Sequence, residues 1–309
     1  MASQNGSEMA SDQLQRQTFK IGIIGGTGLE DPHIMERSGE LRIKTPFGLP
    51  SDALIEGNVA GIPCVLLSRH GRRHQLSPTN INYRANIWAL KQAGVSVIIA
   101  ANACGSLQEE LEPGKVVLVD SFIDRTTKRE QTFYDGEPGH PPGVCHLPMH
   151  PAFSERLRHA LVTTAARLGV AHRDHGVLVC VEGPRFSTRA ESELFRRWGA
   201  DLVGMTMCPE AVLAKELGIP YASMAVVTDF DCWRDTAEGV SISLVDEMMR
   251  KNAHLMQNLF IEAIKEVAGR KDEFVVEAQK AKVDSQIKIR MICLLHVCLF
   301  FVYLSNLLE

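Results

Sequence analysis

Six short runs of almost wholly apolar, largely β-branched residues constrain this chain more than any other feature. They are Lys20 to Gly25 (KIGIIG), Cys64 to Leu67 (CVLL), Val95 to Ala101 (VSVIIAA), Val116 to Asp120 (VVLVD), Val177 to Val181 (VLVCV) and Tyr221 to Thr228 (YASMAVVT). A strand with one wet face alternates polar and apolar residues, so continuous apolar runs belong to strands covered on both faces. Stretches of helical character lie between them: Thr79 to Ala93, Ala152 to Leu168, Thr188 to Trp198, Pro209 to Leu217 and Ser243 to Val267. The alternation predicts an α/β fold, a single domain with a central mixed, mostly parallel sheet flanked by helices. No internal repeat or low-complexity linker interrupts it. The expected organisation is a disordered segment at 1–18, the domain at 19–285 and a divergent apolar tail at 286–309.

Composition narrows the function classes. The 309 residues are 45% hydrophobic and 23% charged, which argues against general disorder. With 33 basic and 37 acidic side chains the net charge is −4, and no basic stripe runs along the chain, so nucleic acid is not an expected partner. The eight cysteines show no C-x2-C spacing and read as buried, reduced thiols rather than a zinc site or redox turn. The first seventeen residues carry neither a signal-peptide apolar core nor an arginine-rich transit pattern, which points to the cytosol and, for a chain of this size, access to the nucleus. The apolar run Met291 to Leu304 is shorter than the ~20 residues a bilayer-spanning helix needs, so membrane anchoring is the lesser alternative there.

Five segments carry chemistry. Gly25-Gly26-Thr27-Gly28 follows a strand, and its missing side chains let backbone N–H groups approach an anion; a tight turn without ligand is the alternative. It lacks the G-x-G-x-x-G spacing of a dinucleotide site. Ser68 to His74 (SRHGRRH) leaves the strand that ends at Leu67, which places Arg69 and His70 on the edge where α/β proteins bind ligands; Arg72 and Arg73 read as a solvated loop. Ala100 to Leu107 (AANACGSL) replaces bulk by small and polar side chains at the end of a buried strand, either to open space for a ligand or to pack a helix closely. Val181 to Glu191 (VEGPRFSTRAE) is another strand exit, with Ser187 or Thr188 placed to cap a helix and Phe186 offering a flat apolar face or an ordinary core ring. Met205 to Glu210 (MTMCPE) precedes Thr228-Asp229-Phe230-Asp231, whose two carboxylates at i and i+2 address one side of an extended segment; a magnesium site is the rival reading.

In order and spacing GGTGL, SRHGRRH, NACGSL, FIDRT, VEGPRFSTRAE, MTMCPE and TDFDCW resemble the 5′-methylthioadenosine phosphorylase family of purine nucleoside phosphorylases, over roughly Lys20 to Lys265. The resemblance implies phosphorolysis of a purine nucleoside, with no metal or organic cofactor, inorganic phosphate as co-substrate, and a homotrimer with active sites at subunit interfaces. It implies that Thr27, Arg69, His70, Asn102, Ala103 and Thr206 hold phosphate and that the Met205 backbone contacts the ribose. Asp229 and Asp231 would act on the base, with Asp229 as proton partner of purine N7. Phe186, Ser187 and Phe230 would border the purine, while Ile242, Val245 and a neighbouring subunit's His146 would line the 5′ pocket. An acceptor at Asp229 suits the 6-amino group of adenine, and apolar Ile242 and Val245 suit a methylthio group over a hydroxyl.

The chain departs from that pattern at Asn102, where the family usually has a threonine or serine, at Gly204, at Met207-Cys208 and from Gln286 onward. Two other readings stay open: a 6-oxopurine nucleoside phosphorylase, and a nucleoside-binding protein with impaired catalysis.

Overall fold

Each of the six apolar runs is a strand in the computed structural model, which describes residues 18–26, 34–234 and 240–278. Residues 1–17 of the expected N-terminal segment, Thr27 and the whole expected tail 286–309 lie outside the described residues. The strands are β1 (Lys20–Gly25), β2 (Glu36–Leu41), β3 (Leu54–Val59), β4 (Ile62–Ser68), β5 (Val95–Ser106), β6 (Val116–Leu118), β7 (Ser121–Arg125), β8 (His172–Arg173), β9 (Val177–Val181), β10 (Leu202–Gly204) and β11 (Tyr221–Asp229). The helices are α1 (Tyr83–Gln92), α2 (Glu155–Arg167), α3 (Arg189–Arg197), α4 (Met207–Glu216) and α5 (Ile242–Gly269).

The sheet is mixed and mainly parallel, as expected. It runs β2-β3-β4-β1-β5-β10-β9-β7, and β11 branches from β5 to β6 and β8. The hub is β5. It pairs in parallel with β1 and β11 and then antiparallel with β10, where Gly105 and Ser106 face Val203 and Leu202. The sequence predicts that this strand ends at Ala101, but it continues through Ser106. Partners on both sides supply the ladder there, so the small residues Asn102 to Gly105 open space from within a strand rather than from a loop after it.

Five strands escape the sequence reading, and β2 shows why. Its residues ERSGEL are exposed along nearly the whole length, so no apolar pattern marks it. It forms by pairing with β3, which is joined to β4 through Ala60 and Gly61, with φ of 50° and 78°. Two consecutive left-handed residues make the turn whose twist suits a hairpin.

Helices cover both faces. Ile24, Val65, Leu67 and Ile98 pack with Ile87 and Leu90 of α1 and with Leu213 and Ala214 of α4. Ile21, Ile23, Val97 and Ile99 pack with Leu157 and Leu161 of α2 and with Leu259, Phe260 and Ile264 of α5. Residues alternate between these two cores along each strand, which accounts for runs with no polar member. Among the described residues, no helix is long and apolar enough to cross a membrane. The six described cysteines form no disulfide with one another; four are buried, while Cys145 and Cys232 are partly exposed.

Candidate active site

The strands β1, β4 and β11 end on one edge of the sheet around a cavity of about 700 Å³, and β9 and β10, which run the opposite way, end at the same cavity from the other direction. Arg69 and His70 follow β4, Met205 and Thr206 follow β10, and Asp229 closes β11. Ligand sites of open α/β sheets lie on this edge.

One part of the cavity presents side chains whose free N–H and O–H groups could hold an anion. Arg69 lines it, yet its side chain is only 1% exposed. Its Nε and Nη2 donate to Glu210 Oε2 and Oε1 at 2.7 and 2.8 Å, and its Nη1 donates to Ala101 O at 2.9 Å. Tyr221 donates its hydroxyl to the same Glu210 at 2.7 Å. Burial alone would weaken the Arg69 charge; the Glu210 carboxylate outweighs it and keeps the guanidinium ionised. Gly26 is required beside it, because a Cβ there would lie 2.7 Å from Arg69 Nη1.

His70 is buried with its Nδ1 2.8 Å from Leu76 O. A carbonyl only accepts, so Nδ1 carries the hydrogen and Nε2 has the lone pair. Burial and the neighbouring Arg69 charge push its pKa down to about 4, so the ring is neutral at physiological pH. A neutral Nε2 acceptor fits the P–OH of hydrogen phosphate. Asn102 donates from Nδ2 to Thr206 Oγ1 at 2.8 Å and accepts from Ser223 Oγ at 2.5 Å. Thr206 Oγ1 thus receives a hydrogen bond from the protein, which leaves its own O–H to donate into the cavity. Ala103 completes this wall.

The opposite character belongs to Asp229 and Asp231, both about 6% exposed and both lining the cavity. Asp229 accepts from Thr228 Oγ1 and from Asp231 N, each at 2.7 Å. Asp231 has a φ of 49°, so the two carboxyls converge through a turn rather than through the strand alternation expected from sequence. Burial raises the pKa of Asp229 despite those two hydrogen bonds, and the Asp231 charge adds to the rise. Burial raises Asp231 as well. Gly105 makes the room, since a Cβ there would lie 2.9 Å from Asp229 Oδ1. Asp231 Oδ2, Ser187 Oγ and Ser192 Oγ are buried atoms with no hydrogen-bond partner of good geometry among the described residues, although the Ser192 and Ser187 hydroxyls lie close to the Asp231 carboxyl. Such orphans call for a polar ligand.

Phe186, Ser187 and Met205 line the same cavity, with Ile242 and Val245 of α5. Thr188, not Ser187, caps α3, in a reciprocal pair with Glu191, and this leaves Ser187 to face the cavity. Phe230 does not line it, contrary to expectation. With Asp229 and Asp231 turned inward, Phe230 points the other way, 6.1 Å from Trp233 and 4.3 Å beneath the Arg234 guanidinium. His146 is exposed and lies away from the cavity of its own chain. Arg72 binds Asp52 and Glu40 outside the site. Among the described residues, no group of three or more His, Cys, Asp or Glu could hold a metal ion.

Sequence reasoning missed three contributors. Glu210 anchors Arg69 from behind. Arg129, 1% exposed, donates to Met205 O at 2.6 Å, Cys208 O at 2.7 Å and Glu182 O at 2.7 Å, and its Nε meets Glu182 Oε1 at 3.0 Å. Burial opposes the Glu182 charge, but hydrogen bonds from Thr127 N and Arg129 prevail and hold its pKa at about 2. Asp246 of α5 also lines the cavity; its spacing of four from Ile242 on a helix is the signal that could have found it.

Comparison with known proteins agrees with this geometry. Residues 20–265 match the model of the phosphorylase superfamily. The S-methyl-5′-thioadenosine phosphorylase of Danio rerio is 50% identical over 270 residues, 87% of this chain and 96% of its own. That of Anopheles gambiae is 55% identical over 250 residues, 81% of this chain and 90% of its own. The structure of methylthioadenosine phosphorylase from Schistosoma mansoni with adenine superposes with a TM-score of 0.84 at 40% identity, covering 87% of this chain and 99% of that one. A variant of the Schistosoma mansoni adenosine/methylthioadenosine phosphorylase, bound to methylthioadenosine, gives 0.82 at 40% identity, covering 87% and 98%. The chain is therefore a member of the methylthioadenosine phosphorylase family within the phosphorylase superfamily.

Proposed function

We propose that the protein phosphorolyses S-methyl-5′-thioadenosine to adenine and 5-methylthioribose 1-phosphate. The observation that carries this reading is the meeting of an anion cradle and an acidic base-reader in one cavity of about 700 Å³. Arg69, the Thr206 hydroxyl and the neutral His70 address hydrogen phosphate, while Asp229, Asp231, Ser187 and Phe186 address the purine. A phosphate oxygen attacks the anomeric carbon as the bond to purine N9 breaks, and the bond pair leaves on the base. Asp229, biased toward its protonated form by burial, delivers a proton to N7 and stabilises the departing base. The orphaned Asp231 Oδ2 accepts from the 6-amino group of adenine. Ile242 and Val245 border the 5′ substituent, with the partner subunit's counterpart of the exposed His146 segment closing it in a homotrimer.

The reaction needs inorganic phosphate as co-substrate and no organic cofactor or metal, and its setting is the cytosol, with access to the nucleus. Turnover of methylthioadenosine against inosine tests the reading. Release of adenine with little hypoxanthine supports it, and preferential cleavage of inosine assigns the protein to the 6-oxopurine class instead.

A further inference from the structure

The α5 wall of the cavity is not wholly apolar. Asp246 lines it together with Ile242 and Val245. Asp246 stands four positions after Ile242, so the two project from one face of the helix. Its side chain is half-buried and makes no hydrogen bond or ion pair among the described residues. The next acid along the helix is engaged differently, since Glu247 pairs with Lys251 on the outer surface. A carboxylate at a cavity wall loses water when a ligand closes over it, and without a donor in exchange that loss opposes binding.

A methylthio group offers a sulfur and a methyl, neither of which donates a hydrogen bond. A 5′-hydroxyl donates one, and a 5′-ammonium donates several and neutralises the charge. We infer that Asp246 is a specificity-determining residue that extends the substrate class to adenine nucleosides bearing a hydrogen-bond donor at the 5′ carbon, adenosine among them. The inference rests on the phosphorolysis reading, in which Ile242 and Val245 border the 5′ substituent. It replaces the sequence-based expectation of an all-apolar 5′ wall.

The test uses the full chain at fixed phosphate. kcat/KM is measured for methylthioadenosine, adenosine and 5′-amino-5′-deoxyadenosine with the wild type, Asp246→Leu and Asp246→Asn. In Asp246→Leu the ratio of adenosine to methylthioadenosine is expected to fall by about tenfold or more, chiefly through adenosine. Asp246→Asn keeps an acceptor oxygen, so adenosine use stays within a few-fold while the 5′-amino substrate loses at least about tenfold relative to methylthioadenosine. Ratios in both variants within about twofold of the wild type overturn the inference. If Asp246→Leu does not fold, the 5′-amino ratio in Asp246→Asn decides alone. Turnover of methylthioadenosine with ratios indifferent to Asp246 removes only this inference; no phosphate-dependent turnover of any nucleoside removes the proposed function with it.

Discussion

Glu210 grips Arg69 from the side that faces away from the cavity: two N–H groups of the guanidinium are spent on one carboxylate, and Glu210 itself does not line the cavity. A third N–H goes to Ala101 O. An arginine has five, so two remain, one on each terminal nitrogen, which is the fork that suits two oxygens of a phosphate. The pair is separated by 141 residues in the chain and fixes a single orientation of the cation.

Glu210→Gln is accordingly expected to raise the KM for phosphate by about tenfold or more while the KM for the nucleoside changes far less. Stability should also fall by about 3 to 5 kcal/mol, because a buried cation loses its counterion. Steady-state kinetics in both substrates and denaturant unfolding check this. An unchanged phosphate KM in a folded variant would contradict the role.

Arg129→Lys should give the complementary pattern. A lysine cannot span the carbonyls of Met205, Cys208 and Glu182 that the guanidinium joins. The nucleoside KM is expected to rise more than the phosphate KM, with a loss of about 2 to 4 kcal/mol from buried acceptors left unpaired. Equal changes in both KM values would show that the residue supports the fold without specifically ordering the sugar side.

Asp229→Asn keeps the shape of the side chain but removes its proton. The rate on methylthioadenosine is expected to drop by about 10²- to 10⁴-fold, the range typical of a lost general acid. Undiminished turnover would remove the leaving-group role.

His70 links stability to pH. Its folded pKa is lowered from 6.5 to about 4, so the native state resists a proton that the unfolded chain takes up readily. That contribution is fully present above pH 6.5 and is lost as pH falls toward about 4, a change on the order of 3 kcal/mol. His70→Asn, which retains a donor for Leu76 O, should flatten the unfolding free energy over this window. Parallel pH profiles for the variant and the wild type would refute the assignment.

The strands of the core were legible because a strand buried on both faces has no polar position to hide it. Most ligand-facing motifs were legible because they sit where those strands stop, as with Arg69 after Ser68 and Asp229 at the end of β11, whereas Asn102 to Gly105 lie inside β5. What stayed hidden depends on contacts across the chain. β2 is polar and exists only through its pairing with β3. The turn at Asp231, which brings its carboxyl beside Asp229 and sends Phe230 outward, needs a left-handed residue that no glycine announces. Glu210 and Arg129 act on residues 141 and 76 positions away, and no local pattern encodes a partner at that distance.

The most direct measurement follows the fate of both halves of methylthioadenosine with and without inorganic phosphate. The proposed mechanism predicts adenine and 5-methylthioribose 1-phosphate in equal amounts when phosphate is present, and no adenine when it is withheld. Adenine released at the same rate without phosphate, together with free methylthioribose, would mean that water rather than phosphate is the nucleophile and would contradict the anion cradle at its centre.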